Sequence, residues 1–543
     1  MFLFLLIFNS LNAINGLRFA HTYGSHMVLQ KAPQRAVVWG YYSTDISNVS
    51  LILGTQNNIN SIIVPTFPGQ IPNTWMAKLP AKAASNTSHT MTLIEQNTTI
   101  ILEDVLFGDV WVCSGQSNMA FLLQNAFNGS QFVNDSGQYP HLRVFTSYKN
   151  NSPKQLREQP EIQEGWSVSS PSAVSQQAQH RDVGVDAPLD DNWLVFSAVC
   201  YLYGQEIMKH TQYPVGLVNT NWGGTPDEFW SSEESLEHCD DTQTTSGGAY
   251  NGMISPLLNM TIYGAIWYQG ESNIGDKMTA FDSQGLPMAT YGCTFPSMIA
   301  DWRRKFHAGS LGETSDAFFF GYVQLASWIG SGFGPPSIRW AQGSGYGYVP
   351  NEQMPNVFNA IAIDLTDRTS PYGSVHIRDK LSVAKRLSAG GIAMAYGNND
   401  TYWQGPIVKS AKTGTDSSVV VTFINTGIQK DGLVVRNVTG WEMCILDAVN
   451  PGANCSLAAS PTTTKQIGDW FEVHVIDSTR DSVTVRPMAA VLDINSLSNQ
   501  RTMVRYAWKS LAFEYKMGGL YSKSTTTDGV DFPAGPFVVV AEN

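Results

Sequence analysis

The feature that most restricts the possible folds is a set of five apolar runs in the middle of the chain. Each run ends in a polar or glycine-rich stretch. They read DVWVCSG, YPVGLVNTN, YGAIWYQG, FFFGYVQLA and FNAIAIDLT, and they begin at residues 109, 213, 263, 318 and 358. Helical stretches precede the second and the fourth run. Buried strands that alternate with helices predict a doubly wound α/β fold whose ligand site lies beyond the carboxyl ends of parallel strands.

The sequence on both sides of this segment has the pattern of short β-strands. Short alternating or apolar runs, separated by Asn, Ser, Gly and Pro turns, fill residues 17–104 and return after residue 402. We therefore expect an N-terminal β-domain at 17–104, an α/β domain at 105–401 and a C-terminal β-rich region at 402–543. Residues 146–190 are polar and weakly periodic, which indicates a long excursion from the core.

Composition excludes several classes of function. The 543 residues include 33 basic and 45 acidic ones, for a formal net charge of -12, and no basic stripe indicates a nucleic-acid partner. A membrane span is not expected either, because no stretch of about 18 consecutive apolar residues is present. A packed, globular protein is predicted by the hydrophobic content of 43%.

The N-terminus and the cysteines indicate an oxidising compartment. MFLFLLIFNSLNAING opens with an apolar block typical of a secretory signal peptide, predicted over residues 1–16, so we expect a secreted or lysosomal protein. Ten N-x-S/T sequons agree with export and predict a glycoprotein. The six cysteines could pair in fifteen ways, and the Pro-Gly turn between Cys444 and Cys455 favours a disulfide between those two. No C-x-x-C spacing suggests zinc.

The first apolar run ends at a serine that could act as a nucleophile. In GDVWVCSGQSNMAF, residues 108–121, a strand leads through a small-residue turn with Ser117 into a helical start. Hydrolases use such a turn to expose a hydroxyl near a helix N-terminus. Helix capping also explains a serine here, and Met119 breaks the G-x-S-x-G pattern of α/β-hydrolases. This segment alone therefore leaves both interpretations open.

Three further loops at the same edge of the predicted sheet carry suitable chemistry. The glycine pair Gly223 and Gly224 can turn backbone N–H groups toward an anion, and the loop IWYQGESN brings the Gln269 amide. A serine hydroxyl needs an adjacent base, and His376 follows the last core strand, from where it can reach Ser117. The backbone N–H groups of the serine and of a glycine, together with the Gln269 amide, could bind an oxyanion.

Four sequence blocks occur in the order GQSNM, NTNWGGT, WYQGESN and DLTDRTSPYGSVHIRDK. These blocks resemble those of sialate O-acetylesterases, a branch of the SGNH hydrolases. The resemblance runs from about Leu17 to the C-terminal RYAWKSLAFEYKMGGLYS. It implies an SGNH-type three-layer α/β/α core with a parallel sheet, and it implies no metal and no diffusible cofactor. It further implies Ser117 as nucleophile and His376 as base. The N–H groups of Ser117 and Gly224, with Gln269, would form the oxyanion hole.

One position departs from the family pattern. SGNH enzymes usually carry an aspartate two or three residues before the histidine, where this chain has Gly373 and Ser374. Asp364, Asp367 or a backbone carbonyl could orient the imidazole instead, and we take Asp367 as the third catalytic residue. Glu271 is expected to support the site by hydrogen bonding.

The leading prediction is a sialate O-acetylesterase, a serine carboxylic ester hydrolase that acts through an acetyl-Ser117 intermediate. Its partner would be an O-acetylated sialic acid, free or on a glycoconjugate, with the acetyl group on the 9-O or 4-O position. The residues of these motifs would bind the acetyl carbonyl and not the glycan. An acetylesterase for other sugars, such as xylans, is therefore a close alternative. A glycan-binding protein that kept the fold and lost turnover is the alternative from a different class.

Overall fold

A computed structural model describes most of the chain. The described residues are 16–42, 49–54, 57–60, 62–64, 73–175, 196–239, 247–329, 334–414, 416–424, 432–447, 455–457, 461–462, 468–487, 500–522 and 529–542. The predicted signal peptide lies outside them except for its last residue, and residues 176–190 of the polar excursion lie outside them too.

The chain contains three successive groups of secondary-structure elements. The N-terminal strands are β1 (Arg18–Phe19), β2 (Val28–Gln30), β3 (Val37–Tyr41), β4 (Ser50–Leu53), β5 (Asn57–Asn60), β6 (Ile62–Val64), β7 (Thr74–Lys78) and β8 (Ser85–Glu95). The middle strands are β9 (Thr98–Gly115), β10 (Leu142–Ser147), β11 (Ile162–Val168), β12 (Val215–Asn221), β13 (Gly264–Tyr268), β14 (Ala280–Phe281), β15 (Pro287–Met288), β16 (Phe319–Gln324) and β17 (Val357–Ile361). The C-terminal strands are β18 (Ile407–Thr413), β19 (Val419–Ile424), β20 (Leu433–Val435), β21 (Trp441–Asp447), β22 (Trp470–Ser478), β23 (Ser482–Arg486), β24 (Gln500–Tyr506), β25 (Leu520–Ser522), β26 (Phe532–Pro533) and β27 (Phe537–Glu542).

The helices belong to the middle group. They are α1 (Ser117–Ala120), α2 (Gly129–Asp135), α3 (Pro171–Val174), α4 (Ala198–Thr211), α5 (Glu233–Leu236), α6 (Tyr291–Gly309), α7 (Gly334–Ala341) and α8 (Lys380–Met394). Short 3₁₀ helices cover Leu123–Asn125, Ser136–Gln138, Asp227–Trp230, Glu237–Cys239, Ser255–Leu257 and Glu271–Asn273, and a π-helix covers Tyr250–Ile254.

The middle strands form a largely parallel sheet in the order β11-β10-β12-β9-β13-β16-β17. Only the edge strand β11 pairs antiparallel in this series. The register places Gly115 opposite Asn221 on one side and opposite Tyr268 on the other. Three strand ends therefore meet at one edge of the sheet, where the topology of an open α/β fold puts a ligand site.

Helices cover both faces of this sheet. Cys113 of β9 forms a disulfide with Cys200 of α4, so α4 lies on the face to which Cys113 points. Cys113 is in register with Ile266, and the next residue, Trp267, points to the opposite face. There the Trp267 ring contacts Trp302 of α6, with 5.9 Å between ring centroids. The predicted three-layer α/β/α core with β-rich flanks is confirmed.

Strand β9 belongs to the N-terminal region and to the core at once. It runs without interruption from Thr98 to Gly115; its first half pairs with β8, and its second half pairs with β12 and β13. The predicted boundary between residues 104 and 105 falls inside this strand. The predicted boundary at 401–402 falls between α8 and β18 and stays a prediction.

The C-terminal strands β18, β19, β23, β22, β21, β24 and β27 close into a barrel. The predicted disulfide between Cys444 and Cys455 is confirmed, and it fastens β21 of this barrel to the segment that follows it. The remaining pair is Cys239 with Cys293, so all six cysteines are bonded. In the described part of the chain, no helix has both the length and the apolar composition needed to cross a bilayer.

Asp364, which follows β17, connects the core to the C-terminal region. Its fully buried carboxylate accepts hydrogen bonds from Arg386 of α8 at 2.6 and 2.9 Å and from the Tyr521 hydroxyl at 2.8 Å. Its backbone carbonyl accepts the N–H of Lys516 at 2.6 Å. Because Arg386 is also buried, each of the two charges depends on the other for compensation.

We expect Asp364→Asn to lower the free energy of unfolding by about 3–5 kcal/mol, because it leaves the Arg386 charge buried without a counter-charge. Urea denaturation measures the change. The matched control is Glu514→Gln, which removes an exposed carboxylate paired with Arg368 and should cost about 0–1 kcal/mol. Equal losses in the two variants would contradict the structural role of Asp364.

Candidate active site

A sharp turn after β9 exposes Ser117 at the carboxyl edge of the sheet. Gly115 has a φ of +136°, and a Cβ at this position would lie 2.2 Å from the carbonyl oxygen of Tyr268, so only glycine fits. Gln116 occupies the N-cap position of α1, and half-buried Ser117 is the first residue of that helix. Ser117 is therefore not the helix cap, and its hydroxyl is available for another role.

His376 lies on the loop between β17 and α8 and reaches Ser117. Its Nε2 lies 2.9 Å from Ser117 Oγ, and its Nδ1 lies 2.6 Å from the carbonyl oxygen of Tyr372. Because a carbonyl oxygen can only accept a hydrogen bond, Nδ1 carries the proton of the neutral ring and Nε2 accepts from the serine hydroxyl. In this arrangement the imidazole can take the proton of Ser117.

Backbone contacts close the turn that carries the histidine. The His376 N–H donates to the carbonyl of Gly373 at 2.9 Å, and the Ser370 hydroxyl donates to the His376 carbonyl at 2.7 Å. Gly373 has a φ of +86°, in the left-handed region that favours glycine. The turn thereby brings the Tyr372 carbonyl back onto the ring four residues later.

The structure pairs Asp367 with Arg378 and gives His376 Nδ1 a backbone partner, so it lends no support to the third catalytic role predicted for Asp367. Its carboxylate accepts hydrogen bonds from the Arg378 guanidinium at 2.7 and 2.8 Å. Burial alone would raise the pKa of Asp367, but the hydrogen bonds and charge of Arg378 outweigh it and lower that pKa. The alternative Asp364 is held by Arg386. Of the three groups that could orient the imidazole, Asp364, Asp367 and a backbone carbonyl, it is the carbonyl of Tyr372 that contacts Nδ1.

The glycine pair lies next to the serine. The N–H of Trp222 donates to the Gly115 carbonyl at 3.0 Å, and a Cβ at Gly223 would lie 3.4 Å from the Ser117 Cβ. Gly224 is exposed and has a φ of +75°. The first backbone N–H groups of a helix have no partner within the helix, so the N–H of Ser117 has none within α1, and together with the glycine pair beside it this N–H forms a polar corner.

Gln269 does not offer its amide to this corner, contrary to the prediction that it belongs to the oxyanion hole. The side chain is fully buried, and its Nε2 donates to the Thr225 carbonyl at 3.1 Å and to Asn273 Oδ1 at 2.7 Å. These two contacts use both amide hydrogens. Gln269 therefore supports the loop that carries the glycine pair instead of lining the site.

Three carboxylates converge on the amide nitrogen of Asn273, behind Gln269. Asn273 Nδ2 lies 2.8 Å from Asp227, 3.0 Å from Glu228 and 3.2 Å from Asp276. Burial, followed by the negative charge of Glu228, raises the pKa of Asp227. Within the described ranges, no group of three or more His, Cys, Asp or Glu side chains is arranged to hold a metal ion. The cluster thus fixes the amide that anchors Gln269.

Asn118, the residue after the nucleophile candidate, connects the histidine loop to two buried charged groups. Its Nδ2 donates to Glu271 Oε1 at 2.6 Å and to the Val375 carbonyl at 2.9 Å. Its Oδ1 accepts a hydrogen bond from Lys380 Nζ at 2.5 Å. The asparagine thereby joins α1, the loop after β13, the His376 loop and α8.

Comparisons with known proteins find relatives among the carbohydrate esterases. A family model described as a carbohydrate esterase, sialic acid-specific acetylesterase, matches residues 107–313. The sialate O-acetylesterases of Mus musculus and Homo sapiens are each 33% identical to this chain over 96% of its length, and the matches cover 94% and 92% of those proteins. The chain belongs to the sialate O-acetylesterase family.

The fold of this family member is shared with a solved structure over nearly its whole length. A carbohydrate acetylesterase from Xanthomonas citri aligns with a TM-score of 0.71 and 23% identity, covering 96% of this chain and 99% of that one. As a member of the sialate O-acetylesterase family, the chain is an ester hydrolase that acts on carbohydrate. An enzyme is therefore favoured over the glycan-binding alternative.

Burial governs the charges around the Ser117–His376 pair of this esterase. Burial lowers the pKa of His376; the hydrogen bond to Tyr372 opposes this change, and the positive charge of Lys380 adds to it. Burial also lowers the pKa of Lys380 to about 7 and raises the pKa of Glu271. The imidazole is neutral near neutral pH, which is the form that a general base requires.

Sequence reasoning missed Tyr372 and Lys380. Tyr372 contributes a backbone carbonyl, which no residue type reveals. Lys380 begins a helix, and lysine is almost never fully buried, so the residue type predicts a solvated side chain. Neither residue carries a signal that the sequence alone could have revealed.

We expect the acid limb of the kcat/KM profile to have its midpoint below about 6.5, the ordinary imidazole pKa. As the pH falls through the lowered pKa of His376, the ring is protonated and can no longer accept the Ser117 proton. Initial rates on a neutral chromogenic acetyl ester between about pH 4 and 8 give the midpoint. A midpoint above the ordinary imidazole value would contradict the buried, neutral histidine.

Proposed function

We propose that the chain removes O-acetyl groups from sialic acids by acyl transfer to Ser117, with O-acetylated sialic acid, free or on a glycoconjugate, as the substrate. The observation that carries the proposal is the 2.9 Å contact between His376 Nε2 and Ser117 Oγ at the carboxyl edge of the sheet. The near-full-length relatives are sialate O-acetylesterases, which supports sialic acid as the sugar.

In the first half-reaction, Ser117 Oγ attacks the acetyl carbonyl carbon while His376 Nε2 takes the hydroxyl proton. The carbonyl oxygen becomes an oxyanion, which the N–H groups of Ser117 and Gly224 stabilise. When the tetrahedral intermediate collapses, the bond to the sugar oxygen breaks and His376 returns its proton to that oxygen. The products are the free sugar hydroxyl and acetyl-Ser117.

In the second half-reaction, His376 takes a proton from water, whose oxygen attacks the acetyl carbon. Collapse of this second intermediate breaks the bond to Ser117 Oγ, returns the proton to the serine and releases acetate. Throughout both steps the Tyr372 carbonyl accepts a hydrogen bond from the Nδ1–H group and holds the ring, as a carboxylate does in a triad.

We also propose that the protein is secreted or lysosomal. Disulfides persist in oxidising compartments, and all six cysteines are paired in three bonds. The signal-like N-terminus and the ten sequons support the same destination.

The first test is acetate release from 9-O-acetylated sialic acid. Relative to the wild type, His376→Ala should lower kcat at least about 10³-fold, and Ser117→Ala should do the same, because each removes one member of the acyl-transfer pair. Circular dichroism controls for folding. Near-normal turnover in either folded variant would show that the wrong residue was chosen.

A second measurement tests the proposal that the sugar is a sialic acid. The wild type should release acetate faster, in kcat/KM, from acetylated sialic acid than from acetylated xylan. The opposite ranking would replace sialic acid with another acetylated sugar and would leave the acyl-transfer mechanism intact.

The variant Asp367→Asn distinguishes a Ser117–His376 dyad from a triad in which Asp367 is the third member. We expect kcat within about tenfold of the wild type, far from the loss of up to about 10⁴-fold seen when a triad acid is neutralised. The reason is that the Asp367 carboxylate binds Arg378 and not the imidazole. A loss of triad size, in a variant that melts at the wild-type temperature, would restore Asp367 to the catalytic machinery.

A further inference from the structure

We infer that Lys380 and Glu271 act as a charged clamp on the Asn118 amide, and that this clamp positions His376 against Ser117. Lys380 and Glu271 are thus positioning residues for hydrolysis, although neither touches the reacting atoms. The inference rests on the proposed roles of Ser117 and His376.

The two charged groups contact opposite ends of one amide. Lys380 Nζ donates to Asn118 Oδ1 at 2.5 Å, and Glu271 Oε1 accepts from Asn118 Nδ2 at 2.6 Å. An ammonium group can only donate and a carboxylate can only accept. Rotating the amide by half a turn would set donor against donor and acceptor against acceptor. The clamp therefore permits a single orientation of the Asn118 side chain.

That orientation determines where the second amide hydrogen goes. Asn118 Nδ2 also donates to the Val375 carbonyl at 2.9 Å. Val375 directly precedes His376, and Asn118 directly follows Ser117, so this hydrogen bond links the two catalytic candidates through their chain neighbours. In the flipped amide, an oxygen would face the Val375 carbonyl, and the loop would be repelled.

Aromatic rings and carboxylates act on the buried Lys380 ammonium group. The side chain is fully buried, with its ammonium nitrogen 4.7 and 4.9 Å from the ring centroids of Phe121 and Tyr268. Three carboxylates act on it electrostatically: Glu271 from the loop after β13, Asp379 from the adjacent position, and Asp367 from the loop after β17. His376 is the titratable base on which the ammonium acts in turn.

Packing alone does not account for a lysine at this position. Burying an ammonium group is costly, and apolar side chains of similar length usually replace buried charged pairs without loss of stability. Methionine would fill the space between the two rings. What methionine would not supply is the donor that fixes the Asn118 amide.

The test is Lys380→Met, assayed on a chromogenic acetyl ester beside Lys385→Met. Lys385 lies five residues further along the same helix and is half-buried, so its replacement makes the same charge change away from the amide. We expect Lys380→Met to lower kcat about 10²-fold with KM within about twofold, as a small misplacement of the base does. Lys385→Met should retain both parameters.

The pH profile distinguishes positioning from simple packing. Because the Lys380 charge lowers the pKa of His376, its removal should move the acid limb of kcat/KM to higher pH. An unchanged limb together with an unchanged kcat in Lys380→Met overturns the inference.

A second variant keeps the test decisive if Lys380→Met leaves Glu271 uncompensated and unfolds. The double variant Lys380→Met with Glu271→Gln removes both buried charges and retains an acceptor for Asn118 Nδ2. It should fold, as judged by its melting temperature, and it should still show the reduced kcat. Wild-type kcat in the folded double variant overturns the clamp.

Covalent labelling of Ser117 by a phosphonate ester separates the failure of this inference from the failure of the proposed function. Labelling needs only the activated hydroxyl and no sugar substrate. Slower labelling in Lys380→Met than in Lys385→Met supports the clamp whatever the natural substrate is. Equal labelling rates overturn the clamp and leave the Ser117 mechanism standing. No labelling of the wild type overturns both.

Discussion

The close approach of β9 and β13 at Gly115 determines the position of the catalytic candidates. The Tyr268 carbonyl occupies the space that a side chain at residue 115 would need, so the strand ends there in a conformation that glycine adopts. The chain then has to turn, and Ser117 emerges at the N-terminus of a short helix. The loops after the neighbouring strands converge on this point because parallel pairing brings their carboxyl ends to the same edge.

Much of this arrangement could be predicted from the sequence. The apolar runs and the helical stretches between them predict a parallel sheet, and the sheet determines which loops meet. The structure has Ser117 next to His376 and Gly223, as this topology predicts. The short separation and the Pro-Gly dipeptide between Cys444 and Cys455 were enough to predict their disulfide. These features depend on periodicity and on short sequence separations, which a single sequence contains.

The errors concern side chains whose partners depend on loop conformation. Asp367 is near enough in sequence to serve His376, but Arg378 competes for its carboxylate and offers two charged donors. Gln269 is at the right strand end, yet Asn273, four residues later, accepts a hydrogen bond from its amide. Periodicity does not report such competition. Periodicity also does not show that β9, one continuous strand, pairs with β8 in its first half and with β12 and β13 in its second half.

Orientation of the proposed base, His376, by the Tyr372 carbonyl changes which substitutions would inactivate this enzyme. A side-chain acid can be deleted by one substitution, but a backbone carbonyl is present whatever residue occupies position 372. The orienting group can be lost only if the turn changes shape. Gly373, with its φ of +86°, is where that turn is most exposed to such a change, because an L side chain is strained there even though a Cβ would meet no neighbouring atom. The mutational weak point of the base is thus a residue with no side chain.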